Sequence, residues 1–274
     1  MMARILSAWD PDLSVLIGCA ALIAAYWVAH RNDLGRAGWF VAGVGVMLFA
    51  LVSPIDVIGD QYLFSAHMIQ HLLLVLIVPP LLISGITPRF ARRVVECRPL
   101  GAIEHFLGNA IIAWTIGIGM LAVWHAPTLF DAALSNEYIH ILEHLCFMVS
   151  ATIFWWPIFA PLSESRLTPL WTQLYLLGGA MANSLIGIWL TFASAGIYTP
   201  YLYPEDSLHL MEFLRSGLGI TPAVDQEVGG LLMWVVGGFV FVSVMAAEIV
   251  RWFGAVSMGA TSAPATLRRL GNGF

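Results

Sequence analysis

The chain has 274 residues, of which 59% are hydrophobic and only 11% charged, with a formal net charge of −5. Soluble domains carry about a quarter charged residues, so this composition excludes an ordinary soluble globule, and no nucleic-acid partner is expected. Cys19, Cys97 and Cys146 are scattered and form no C-x-x-C pair, which argues against a disulfide framework and a thiol-based metal chaperone.

The first residues, MMARILSAWDPD, make a poor signal peptide, because the early arginine is offset by Asp10 and Asp12 and no small-x-small site follows. The first apolar run therefore reads as a retained helix. Seven apolar stretches follow one another at about 13–30, 37–53, 62–86, 105–125, 138–160, 169–193 and 228–250. Each is long enough, or nearly so, for a bilayer core of about 30 Å that needs roughly 17–25 helical residues. The expected fold is an all-α membrane protein, a seven-transmembrane-helix bundle over 1–251 followed by a cytoplasmic tail at 252–274. Gly43 and Gly45 in the second span point to close helix packing. Pro79-Pro80 should kink the third. Trp39, Trp124, Trp155, Trp156, Trp171 and Trp252 fall near predicted ends, where interfacial anchors belong.

Arginine sets the orientation. With the N-terminus outside, Arg31, Arg36, Arg89, Arg92, Arg93, Arg98, Arg166, Arg251, Arg268 and Arg269 face the cytoplasm, and only Arg4 and Arg215 stay outside. The longest external connection, about 194–227, contains SLHLMEFLRSGL, compatible with a short amphipathic surface helix. A segment of that length serves either as a functional lid or as a plain connector.

Two spacings stand out in this apolar background: His67-Met-Ile-Gln-His71 and His140-Ile-Leu-Glu-His144. Residues four apart lie one turn apart on nearly the same helix face. Ionisable side chains are costly within a membrane and by default mark a functional site. The third and fifth spans both enter from outside, and the fourth runs outward to Trp124-His125. Five histidines from three consecutive helices thus share the outer half of the membrane. His30, His105 and His209 lie elsewhere and read as packing or loop residues. The two histidine helices share a His-x-x-Gln/Glu-His-Leu pattern, which resembles a short parallel repeat.

Neutral imidazole binds copper, zinc, iron and nickel, and burial favours that neutral form. His140, His144 and Met148 make one stripe at i, i+4 and i+8, adding a soft thioether that favours Cu(I), although a methionine here also serves as packing. Glu143 has three open roles: ligand, orienter of a ring N–H, or proton acceptor. Asp60 and Asp131 either draw cations toward the site or are solvated loop acids. Three other readings compete. His140-Ile-Leu-Glu143-His144 matches the H-x-x-E-H zinc signature of inverted metalloproteases, but the pair on the third span carries Gln70 where the base would be. Histidines from two helices can clamp haem in an electron-transfer protein. A copper permease would need a polar path to the cytoplasm, whereas the sequence below His71 turns to Leu-Leu-Leu-Val-Leu-Ile-Val-Pro-Pro, with Asn183, Ser184 and Glu248 the polar exceptions on other helices.

The stretches FSAHMIQHLLLVLIVPPLLISG, WHAPTLFDAALSNEYIHILEHLCFMVSATIFWWPIFAPL and DQEVGGLLMWVVGG resemble the signature blocks of the caa3-type CtaG family of cytochrome c oxidase assembly proteins. The order and spacing agree over about 30–250. The resemblance implies a multi-pass protein of the bacterial inner (plasma) membrane, not an enzyme, that helps copper reach the CuB centre of a haem–copper oxidase. That oxidase subunit, the copper ion and the lipid bilayer are the implied partners. Position by position, the family's histidine motifs fall on His67, His71, His125, His140 and His144, and an acidic-polar pair falls on Asp225-Gln226. The expected metal set is these five histidines with Glu143 and Met148. Copper is the expected ion, with haem and zinc as alternatives.

Overall fold

The computed structural model describes residues 2–261 and the side chains of residues 4–254, and every regular element among them is helical. After a short helical segment at Met2–Leu6, α1 (Leu13–His30) starts at Asp12, whose carboxylate accepts the Ser14 N–H at 2.6 Å. It is followed by α2 (Ala37–Val52) and α3 (Pro54–Gln61), which is bent 44° from α2. The histidine helix α4 (Phe64–Gly85) comes next. Two short helices, α5 (Pro88–Glu96) and α6 (Arg98–Leu107), precede α7 (Ala110–Trp124), which turns 69° from α6. The chain continues through α8 (Pro127–Ser135), α9 (Glu137–Phe159), α10 (Pro169–Phe192) and α11 (Pro222–Gly254). Proline occupies the start of α3, α5, α8, α10 and α11, where the missing N–H has no intrahelical partner to lose.

Among the described residues, five helices are long and apolar enough to cross a bilayer, and the count reaches seven if each bent pair is one span. The chain is a multi-pass helical membrane protein. Its helix bounds depart from the sequence expectation in three places. The connection before α4 is not a loop, because Ser53 accepts the Ile55 N–H and restarts the chain as α3. The fourth stretch, expected over 105–125, breaks at Gly108-Asn109: the Asn109 side chain accepts from Ile111 and Ile112 N–H and opens a new helix. The last helix begins at Pro222, six residues before its expected start, capped by Thr221. Arg268 and Arg269 of the expected tail lie outside the described residues.

The prolines of α4 do not interrupt the span, and the hydrogen bonding shows how they are accommodated. Over Leu73–Ile77 the helix widens, so that the Val78 N–H reaches the Leu73 carbonyl five residues back. Pro79 cannot donate to the Val75 carbonyl. The Trp155 indole donates to it instead, at 2.8 Å. A similar widening at Leu232–Val236 leaves the Met233 carbonyl to accept from Asn183 Nδ2 at 2.7 Å. Asn183 is therefore a brace between α10 and α11.

Helix α4 sits at the centre, packed by α2, α3, α9 and α11. Gly43 lies against Leu81 and Leu82, as close packing requires, whereas Gly45 faces open space. The half of the bundle away from the histidines is filled by Leu76, Ile83, Phe154, Trp155, Leu176 and Phe241. The 194–221 connection folds back: Leu210 and Leu214, from its expected amphipathic stretch, bury themselves against Ile58 and Tyr62.

Candidate metal centre

The central helix and α9 bring their histidine pairs together near the Phe64 and Glu137 ends. Ring centroids lie 4.1 Å apart for His67–His71 and 4.2 Å for His140–His144. Between the helices they lie 5.5 Å apart for His67–His140 and 5.7 Å for His71–His144. His125, the residue that ends α7, sits 6.0 Å from His71. Two donor groups result, each with one ligand atom per residue within 4.8 Å of the others: His67, His140 and His144, and His67, His71 and Glu143. The five histidines and Glu143 of the sequence analysis thus converge on one place.

Ring orientation comes from neighbours that the sequence alone does not place. Asp60, on the last turn of α3, accepts from His67 Nδ1 at 3.2 Å and lies 3.4 Å from His140 Nδ1 through its other oxygen. A carboxylate on Nδ1–H fixes the tautomer and leaves Nε2 as a free lone pair, the usual arrangement behind a metal-binding imidazole. His125 Nδ1 donates to the Leu121 carbonyl at 2.7 Å with the same consequence. Gly59 permits the approach: a Cβ there would meet the His67 Cα and N at 2.9 Å. Gln70 is spent on structure, donating to Asp56 at 2.5 Å and to the Ala50 carbonyl at 3.1 Å.

What remains is a set of buried atoms without hydrogen-bond partners: His67 Nε2, both ring nitrogens of His71, Nε2 of His125, His140 and His144, and both oxygens of Glu143. Buried polar groups are normally paired, and each unpaired one costs about 1–3 kcal/mol. A ligand that accepts lone pairs would satisfy many of them at once. Imidazole nitrogen with one carboxylate fits a transition-metal ion.

Helix α11 holds the cluster from behind. Asp225 accepts from Phe64 N–H at 2.7 Å, Ser65 N–H at 3.0 Å and Ser65 Oγ at 2.5 Å, capping α4 from another helix. Gln226 accepts from Gly196 and Ile197 N–H and donates to the Leu190, Ala193 and Ser194 carbonyls, tying down the end of α10 and the following turn. From that turn, Tyr198 donates to the His125 carbonyl at 2.9 Å and Tyr201 to the Gly59 carbonyl at 2.7 Å. Burial, reinforced by nearby carboxylates, pushes both phenols above their usual range, so they stay protonated donors. Phe130 packs on the His67 ring at 5.1 Å, and Phe147 on the His71 ring at 4.7 Å.

Other sequence candidates go elsewhere. Met148 packs against the apolar cluster of Cys19, Val44, Met47 and Leu74. His30 stacks on Tyr26 at 4.2 Å and lies tilted against Phe90 at 4.5 Å, a packing role. His105 lines a cleft with Glu104, Asn109 and Arg166, away from the other histidines, and His209 occupies a left-handed turn with φ 54°. Asp131 accepts from Thr199 N–H and braces the 194–221 connection. For Asp60 the sequence offers either cation attraction or solvation. Its placement beside two rings follows from α3, which the sequence reading treats as a loop.

Fold and site together define a multi-pass membrane protein with a buried histidine–carboxylate cluster at one end of its bundle. The family model described as cytochrome c oxidase caa3 assembly factor (Caa3_CtaG) matches residues 20–255, so the chain belongs to that family. It is also similar to uncharacterized proteins of Mycobacterium bovis and Mycobacterium tuberculosis, 25% identical over 92% of this chain, and of Mycobacterium leprae, 22% identical over the same share. The chain spans 40% of the length of these relatives. No solved structure matches it.

Proposed function

We propose that this protein serves the assembly of a cytochrome c oxidase by holding copper in its histidine cluster and delivering it to the CuB centre. The observation that carries the reading is the convergence of partnerless buried imidazole nitrogens with Glu143 in one pocket. Membership of the assembly-factor family supports the oxidase as partner. The copper is cargo, captured by His67, His71, His140 and His144, with His125 closing the set and Glu143 supplying charge. Met148 contributes packing. Release proceeds by ligand exchange with oxidase histidines while the two membrane proteins are docked, and the protein itself is no enzyme.

In this reading the chain crosses the bacterial inner membrane seven times, with the N-terminus outside and the described C-terminal helix ending in the cytoplasm. The arginine distribution supports that orientation, and it opens the cluster to the outer face. The apolar filling beyond Phe147 supports holding over permeation. Phe130 and Phe147, packed edge-on to the His71 ring, support a small ion over a porphyrin.

The test is made in cells lacking this protein. Their oxidase is expected to carry its haem but to be deficient in CuB. The wild-type gene restores CuB, and a His71→Ala/His144→Ala variant that still inserts does not. Full CuB occupancy without the protein would overturn the delivery role.

A further inference from the structure

The cluster contains two donor groups, and they share one residue. His67 belongs both to the set with His140 and His144 and to the set with His71 and Glu143. Its Nδ1 is bonded to Asp60, which leaves Nε2 as its one free donor. A single lone pair serves a single ion at a time. The two sets also differ in access. The His140 and Asp60 side chains are 15% and 27% exposed, whereas Glu143 is fully buried and His71 is 3% exposed.

We infer that the cluster is a two-position site for one metal ion at a time, with His67 as the pivot between an outer and an inner position. This rests on the copper reading above. The outer position uses nitrogen alone, from His67, His140 and His144, with Asp60 behind two of the rings. The inner position uses His67, His71 and Glu143, with His125 6.0 Å from His71. The outer position has the Asp60 carboxylate behind two of its imidazoles, and the inner one adds Glu143 to the charge that Asp60 places behind His67. Either place offers the compensating negative charge that a cation held away from water requires.

Beyond the inner position the filling among the described residues is mainly apolar. Phe147 lies against His71 and Leu121, and past it come Phe154 and Phe241, with Ser150 and Asn183 beside a small cavity. An ion held there returns through His67 to the outer position before it can leave. The inner position is a protected store, and the outer one is where exchange with a partner takes place.

The test titrates the detergent-purified full chain with Cu(I) under anaerobic conditions, reading ions per chain and the first coordination shell by X-ray absorption. Wild type should saturate at one ion. His140→Ala/His144→Ala should still hold one ion, now with oxygen in the shell, and Glu143→Gln/His71→Ala one ion with nitrogen alone. His67→Ala should weaken binding by more than tenfold. Two ions on the wild-type protein, or loss of all copper from either double variant while it keeps its elution volume, would overturn the two-position site but leave copper holding intact. No copper on wild type would overturn both. The wild-type stoichiometry needs no variant, so misfolding of a mutant leaves the question decidable.

Discussion

Replacing Asp225 by alanine removes the cap on which the histidine helix starts. The carboxylate accepts from two first-turn N–H groups and one hydroxyl, at 2.5–3.0 Å, across the contact between α11 and α4. Phe64 is 2% exposed, so its N–H finds no water once the carboxylate is gone. A lost N-cap costs about 0.5–2 kcal/mol, and a hydrogen bond to a charged group about 1.5–3 kcal/mol. These overlap, because one carboxylate makes all the bonds. A total of about 2–3 kcal/mol is reasonable. In a chain of this size that corresponds to a fall in apparent Tm of roughly 5–10 °C. Ser65→Ala removes the hydroxyl bond alone and should cost about 1 kcal/mol. Intrinsic-fluorescence melts of both variants in one detergent make the comparison. An Asp225→Ala protein that melts within about 1 °C of wild type, or no lower than Ser65→Ala, would refute the capping role.

Asp60→Asn keeps the shape of the side chain but removes the charge behind His67 and His140, and should weaken copper binding about 10–100-fold without lowering the melting temperature. Competition with a chromophoric Cu(I) chelator measures it, and equal affinity would mean that Asp60 does not orient the rings. Gly59→Ala places a Cβ 2.9 Å from the His67 backbone, so α3 must move away and Asp60 with it. Both thermal stability and copper affinity should fall, and a protein unchanged in both would contradict the close approach. Trp155→Phe leaves the Val75 carbonyl without a donor beside Pro79 and should cost about 1–3 kcal/mol while copper content stays the same. Unaltered melting would show that the carbonyl is satisfied in another way.

The long apolar stretches and the two H-x-x-x-H spacings were legible in the sequence because helix period and membrane cost both act locally. His125 joined them because the alternation of helix direction places the end of one span beside the starts of its neighbours. Asp60 and Asp225 were harder. A carboxylate seven residues from a histidine, or 160 residues from the serine it caps, carries no sign of its partner until the packing of α3 and α11 against α4 is known. The break at Gly108-Asn109 was masked because apolar composition continues across it, and only the asparagine cap marks the restart. The prolines of α4 concealed a different contact. Their unsatisfied carbonyl is repaired by Trp155 from 80 residues away, which no local pattern reveals.

The most direct test is the metal content of the purified protein, measured by elemental analysis together with its visible spectrum. Copper holding requires a near-stoichiometric copper content in the reduced, near-colourless protein, lost when His71 and His144 are both replaced by alanine. A Soret band, or copper unchanged in that double variant, would contradict it.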